Sequence, residues 1–150
     1  MARHNELGKW GECKAAEFLR EKGLYIRHID WRDKHRDLDI VAIDAEMTTI
    51  HVVEVKTRST AIYGEPEESI DLEKKNNIIK ATARYLRAYH LEHLAVQYDT
   101  ISVVGTPETE CKIIYKEKAF TTLDSYLFYE QRRKQAWYHR RHRPGTWDFS

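Results

Sequence analysis

The sequence lacks any apolar run approaching the roughly 20 residues that a membrane-spanning helix requires. Its opening stretch, MARHNELGKWGECKAAEFLREKG, has no hydrophobic segment of the signal-peptide kind and reads as an amphipathic helix. Cysteine is scarce: Cys13 and Cys111 stand alone, with no CxxC spacing, and read as reduced thiols of a cytoplasmic protein. No internal repeat is present. What remains is 150 residues, 41% hydrophobic and 33% charged, enough for one folded domain with a real core.

Charge of one sign is missing from one place. Between Arg132 and Arg143 there is no acidic residue, while Arg132, Arg133, Lys134, Arg140, Arg141 and Arg143 are all basic. Those charges exceed the formal net charge of +1, so the rest of the chain is mildly acidic. The expected organisation is a globular domain over 1–122 and a basic, aromatic C-terminal extension over 123–150. Trp137, Tyr138 and Trp147 are interleaved with the basic residues, a composition in which arginines hold phosphates and aromatics stack on bases. The plainer reading is a solvated basic helix end with Trp137 packed on the domain.

Apolar periodicity predicts a helix over 5–22, stopped by Gly23, with Glu12 on the same stripe as Ala16 and Leu19. LYIRHIDW reads as a strand and RDKHRD as a polar loop. Strands over 38–43 and 49–57 flank the polar turn DAEMT. A loop containing Gly64 and Pro66 follows, then a helix over 70–89. Two strands near YDTISVV and CKIIYKEKAF and a helix over 123–137 complete the pattern. The implied class is α/β, a mixed sheet flanked by helices with a C-terminal helical and basic tail.

The stretch IHVVEVKTR poses the chemical question. Ile50, Val52, Glu54 and Lys56 alternate onto one side of the strand. A turn centred between Glu46 and Met47 sets Ile43 across from Ile50, Val41 across from Val52 and Asp39 across from Glu54. Opposed like charges destabilise a pair, so a raised carboxylate pKa, the Lys56 ammonium or a bound cation must offset them. A divalent metal fits best: Mg²⁺, with Mn²⁺ as a substitute, takes one or two carboxylates and keeps waters. Asp39 and Glu54 would supply the carboxylates and the Val55 carbonyl a third ligand. Lys56 would stand beside the attacking water, and Glu12 would bind through a water or act as a base. A surface hairpin carrying an ordinary Glu–Lys pair is the bland alternative.

Asp39 followed by Glu54-x-Lys56 is similar to the PD-(D/E)xK core of the restriction-endonuclease-like fold. More closely, the chain resembles the bacterial YraN family, through GKWGECKAAEFLREKGL, RDLDIVAID, HVVEVKTR, YGEPEESIDLEKKNNIIKATARYL, YDTISV and KEKAF. The resemblance carries the family's helix acid to Glu12, its strand aspartate to Asp39 and its E-V-K-x-R run to Glu54, Val55, Lys56 and Arg58. Its second-helix lysine falls on Lys74, with Lys75 as the alternative, and a later strand aspartate falls on Asp99. Arg36 and Asp37 stand where the family usually has Gly-Glu, and Leu38 replaces the proline of the motif. The resemblance implies a restriction-endonuclease-like fold and a capacity for Mg²⁺-dependent phosphodiester hydrolysis, without fixing a substrate; the substrate expected is DNA, branched or otherwise structured. Arg58, Lys74, Lys75, Arg132, Arg133, Arg140 and Arg141 would contact nucleic acid, DNA in preference to RNA, and a homodimer is allowed. The competing expectation is a nucleic-acid-binding or partner-binding protein that keeps the fold without turnover.

Overall fold

The structure, a computed structural model, describes residues 2–34, 36–60 and 70–142. Its elements are α1 (Ala2–Glu21), β1 (Tyr25–Asp33), β2 (Arg36–Ile43), β3 (Thr49–Arg58), α2 (Leu72–Ala88), β4 (Ala95–Val104), β5 (Lys112–Phe120) and α3 (Leu123–Arg141). The strands form one sheet in chain order. All neighbours are antiparallel except β3 and β4, which run parallel because α2 carries the chain back between them. This is a mixed α/β fold with a five-stranded mixed sheet flanked by helices.

The two faces of the sheet bury separate cores. Ala15, Ala16 and Leu19 of α1 pack on Ile40, Val53, Ile101 and Val103. Ile78, Ala81 and Tyr85 of α2 pack on Val41, Ile43, Ile50, Val52 and Tyr98 on the other face. Strand alternation makes this division possible, and Glu54 follows Val52 onto the α2 side. Fully burying side chains of this size stabilises by about 1.5–3 kcal/mol each. Gly23, at φ +92°, ends α1 in the left-handed conformation expected of a residue after a helix.

The β2–β3 hairpin takes the register expected from its turn, with Ile43 opposite Ile50 and Val41 opposite Val52. Asp44 fixes that turn by accepting from the backbone N–H groups of Thr48 and Thr49 at 2.7 and 2.9 Å. The polar stretch RDKHRD is not the long loop its composition suggests. Arg32 stands opposite Asp37 and Asp33 opposite Arg36 in the strand register, so the β1–β2 ladder runs almost to its tip, while the Arg32 and Asp33 side chains pair with Asp30 and Arg84. The helix expected to open at residue 70 starts at Leu72, because Asp71 caps it by accepting from Lys74 N–H at 2.8 Å. The loop containing Gly64 and Pro66, and the last residues with Trp147, lie outside the described residues.

Asp99 is the polar centre of the α1-side face. It is fully buried and accepts from His51 Nδ1 (2.9 Å), Tyr115 Oη (2.8 Å), Gln97 Nε2 (2.9 Å) and Lys118 N–H (2.9 Å). The last donor is supplied by a bulge in β5, where Glu117 to Ala119 stand against Asp99 alone. Burial alone would push the Asp99 carboxyl up, but these bonds outweigh it and hold the carboxyl below its usual range. A folded pKa below the unfolded value adds stability above about pH 4, and that stability is lost as pH falls through the folded pKa. Asp99→Ala is expected to cost about 3 kcal/mol through the donors it strands, and to flatten the acid limb of stability. Urea unfolding between pH 2.5 and 7 reads both effects.

Candidate active site

β2 and β3 part company where the carboxylates stand. The ladder between them ends at Ile40 opposite Val53. One step further, Val55 N–H is donated not to a β2 carbonyl but to Asp39 Oδ2, at 2.8 Å. The direct Asp39–Glu54 opposition expected from the hairpin is therefore replaced by a splayed end. The Asp39 side chain caps a β3 amide there, and the two carboxyls still interact directly. β3 meanwhile stays in register with β4 as far as Arg58 opposite Val104, so the splay belongs to β2.

Burial pushes both carboxyls up. Glu54 rises to about 8, first through desolvation and then through the Asp39 charge, against the opposing pull of Lys74. Asp39 is also raised by desolvation, although Val55 N–H and a hydrogen bond from Glu54 favour its ionised form. The shared proton thus resides on Glu54, because Asp39 has the backbone donor. Lys74 Nζ stands 3.6 Å from Glu54 Oε1 and is raised in turn: burial opposes its charge, but Glu54, Asp37 and Asp39 outweigh it.

Glu12, on the α1 side of the sheet, lies within electrostatic range of Asp39. It is half-buried on α1 and raised to about 7 by desolvation, then by Asp39, Asp30 and Asp37, with Arg32 opposing. Its approach depends on a residue that the sequence reading left without a role. Gly11 is buried against β3, and a Cβ there would overlap the Thr57 side chain. The signal available was a glycine inside a helical pattern, which marks a close backbone approach. Asp37 was likewise noted only as a substitution, yet its charge acts on Glu12, Asp39, Glu54 and Lys74.

The other expected site residues divide clearly. Lys56 and Arg58 lie further along β3, both partly buried. Lys74, not Lys75, faces Glu54: Lys75 Nζ bonds Asp124 Oδ1 at 3.2 Å and ties α2 to α3. Arg132, Arg133, Arg140 and Arg141 all lie on the exposed helix α3, which buries none of its residues. Arg133 pairs with Glu130 at 2.9 Å, and the Arg141 guanidinium lies over the Trp137 ring at 4.5 Å. Trp137 is 52% exposed, so it does not pack on the domain as the plainer reading supposed.

Among the described residues, no three His, Cys, Asp or Glu side chains converge as a metal-ligating group. The donor set is instead a pair of carboxylates at the splayed end of β2 and β3. Two carboxylates with water and backbone oxygen suit a hard cation such as Mg²⁺ rather than zinc.

A family model for the uncharacterised protein family UPF0102 matches residues 11–103, from Gly11 through β4. The chain belongs to the UPF0102 family. A UPF0102 protein of Bacteroides thetaiotaomicron is 44% identical over 105 residues, covering 70% of this chain and 84% of the relative. One from Porphyromonas gingivalis is 40% identical over 124 residues, 82% and 90% of the two chains. Another from Myxococcus xanthus is 37% identical over 107 residues, 71% and 83%. YraN and UPF0102 are the same family, so the resemblance in the sequence found the right relatives. The matched segment contains Glu12, Asp39, Glu54, Lys56 and Lys74, and α3 lies beyond it.

Two outcomes follow for UPF0102 chains built this way. Glu54 keeps its proton in the folded state up to about pH 8 but sheds it near pH 4.3 when unfolded. A raised carboxyl therefore lowers stability progressively across that window, with the full penalty above it. In EDTA, Glu54→Gln is expected to be more stable than the wild type at pH 8.5, with the gap closing by pH 5, as read by urea unfolding. Gly11→Ala is expected to cost about 1–3 kcal/mol by forcing α1 off Thr57. Thermal unfolding checks it.

Proposed function

We propose that the chain is a Mg²⁺-dependent endonuclease of the restriction-endonuclease-like kind, hydrolysing phosphodiester bonds in DNA that is branched or otherwise structured. The observation that carries the reading is the Asp39–Glu54 pair, two carboxyls held together at a splayed strand end with a lysine against one of them. A site that only stabilised the fold would not set Glu12, Asp39 and Glu54 where burial and neighbouring negative charge, that of Asp37 included, raise their pKa values. Asp39, Glu54 and the Val55 carbonyl are the groups that would hold Mg²⁺. The ion, when bound, supplies a polarised phosphoryl oxygen and a more acidic water.

The chain's own residues do the rest. Lys56 lies two residues past Glu54 on the same side of β3 and stabilises negative charge developing at phosphorus. Glu12, with a pKa near 7, is poised to take a proton from the attacking water. Lys74 holds Glu54 in place and contacts a non-bridging phosphate oxygen as substrate enters. Arg58 and the α3 arginines bind backbone phosphates, and Trp137 and Tyr138 offer faces for exposed bases. The exposed basic aromatic helix equally favours a second reading, a nucleic-acid-binding protein without turnover.

Cleavage of labelled single-stranded, duplex, flapped and four-way-junction DNA and of RNA separates the two. Each substrate is tested with Mg²⁺, Mn²⁺ or EDTA. The endonuclease reading expects metal-dependent cutting, strongest on branched DNA and reduced at least about 100-fold in Asp39→Ala and Lys56→Ala. Binding without cutting under either metal, equal in all three proteins, leaves the binding reading.

A further inference from the structure

A cavity of about 280 Å³ lies between the tip of the β1–β2 hairpin and α2, apart from the carboxylate pair. Asp33, Lys34 and Arg36 line it from the hairpin, and Asn77 and Arg84 from the helix. Three cations against one carboxylate leave the lining with a net charge of +2. The carboxylate is committed, since Asp33 Oδ2 accepts from Arg84 Nη1 at 2.9 Å. Lys34 is exposed and stands at φ +54°, just past the end of β1 and outside the strand ladder. The cavity is smaller than the pockets that enclose drug-sized molecules and has the charge for one anionic group with its sugar.

Its position relative to the site gives it meaning. Asn77 stands one turn of α2 beyond Lys74, about 4.5 Å along the axis. Arg36 opens the strand that carries Asp39 three residues later, about 10 Å away. A nucleic-acid strand advances about 3.4 Å along its axis per phosphate. Arg36 also lies within electrostatic reach of Tyr129 on α3, whose ring sits under the Lys80 ammonium at 5.1 Å. The cavity therefore lies along α2 from Lys74, with Tyr129 of α3 within electrostatic range of its Arg36.

We propose that this hairpin–α2 cavity is a phosphate subsite, holding the backbone phosphate two or three nucleotides from the one at the carboxylate pair through Lys34, Arg36 and Arg84. It rests on the nuclease reading only for what stands at the carboxylates, because the charge and shape of the cavity suit a polynucleotide backbone with or without turnover. The Asp33–Arg84 pair acts as a partial brake, since Asp33 both neutralises Arg84 and repels the incoming phosphate.

Fluorescence anisotropy of a labelled 30-nucleotide single strand, titrated in EDTA over a series of salt concentrations, tests the proposal. Each phosphate neutralised on a single strand contributes about 0.7 to the slope of log K against log salt. Lys34→Ala/Arg36→Ala is expected to lower that slope by about 0.7, the share of the one phosphate held there. Arg20→Ala/Lys22→Ala, an equal loss of charge on the exposed end of α1, should leave it unchanged. Asp33→Asn, which removes negative charge and releases Arg84, should tighten binding several-fold. An unchanged slope in the hairpin variant, equal losses in both double variants, weaker binding by Asp33→Asn, or no binding at all would each overturn the subsite. Unchanged slopes in a protein that still cuts DNA remove the subsite and keep the nuclease. Altered slopes in a protein that never cuts keep the subsite and remove the nuclease.

Discussion

The structure is organised around an unfavourable contact. Asp39 and Glu54 are brought together at the end of two strands, in surroundings that raise both pKa values, with Glu12 and Asp37 adding to the same field. Lys74 and Val55 N–H offset part of the repulsion, and the rest is met by leaving Glu54 protonated near neutrality. Groups held this way lower the stability of the metal-free fold. The two apolar cores, one under each flanking helix, carry that cost.

Each element around the pair contributes one local decision. β2 leaves β3 after Ile40, which frees Val55 N–H for Asp39. Asp71 caps α2 at the point that places Lys74 in its first turn, beside Glu54. Gly11 lets α1 lie on Thr57, which sets Glu12 within electrostatic range of Asp39 from the side opposite α2. Below the site, Asp99 joins His51 of β3 to Tyr115 and Lys118 of β5, tying β3, β4 and β5 into one rigid support. The carboxylates are thus held by rigid elements rather than loops, the arrangement that keeps a site in a defined geometry.

Much of this is visible in the sequence where a short-range rule applies. Strand alternation and a polar five-residue turn suffice to place Ile43 on Ile50, and from there Asp39 near Glu54. Composition misleads at residues 32–37, because a polar run reads as loop while its backbone pairs across two strands. The choice between Lys74 and Lys75 needs the helix phase, which is set by a cap that periodicity alone does not reveal. Asp99 was found as a motif position, but its role depends on partners 48 and 16 to 19 residues away, brought together only by the sheet. Gly11 is the same kind of case, since its reason lies in Thr57 on another element. Family membership adds relatives but no activity, so chemistry has to be argued from the site.

The central claim is that the carboxylate pair exists to hold a divalent cation. Electron paramagnetic resonance of Mn²⁺ titrated into the protein without nucleic acid tests it most directly, since free ions give a signal that binding diminishes. The account predicts one bound Mn²⁺ per chain at pH 8, displaced by excess Mg²⁺ and lost in Asp39→Asn while Lys75→Ala binds normally. No bound ion, or equal binding by the wild type and Asp39→Asn, would contradict it.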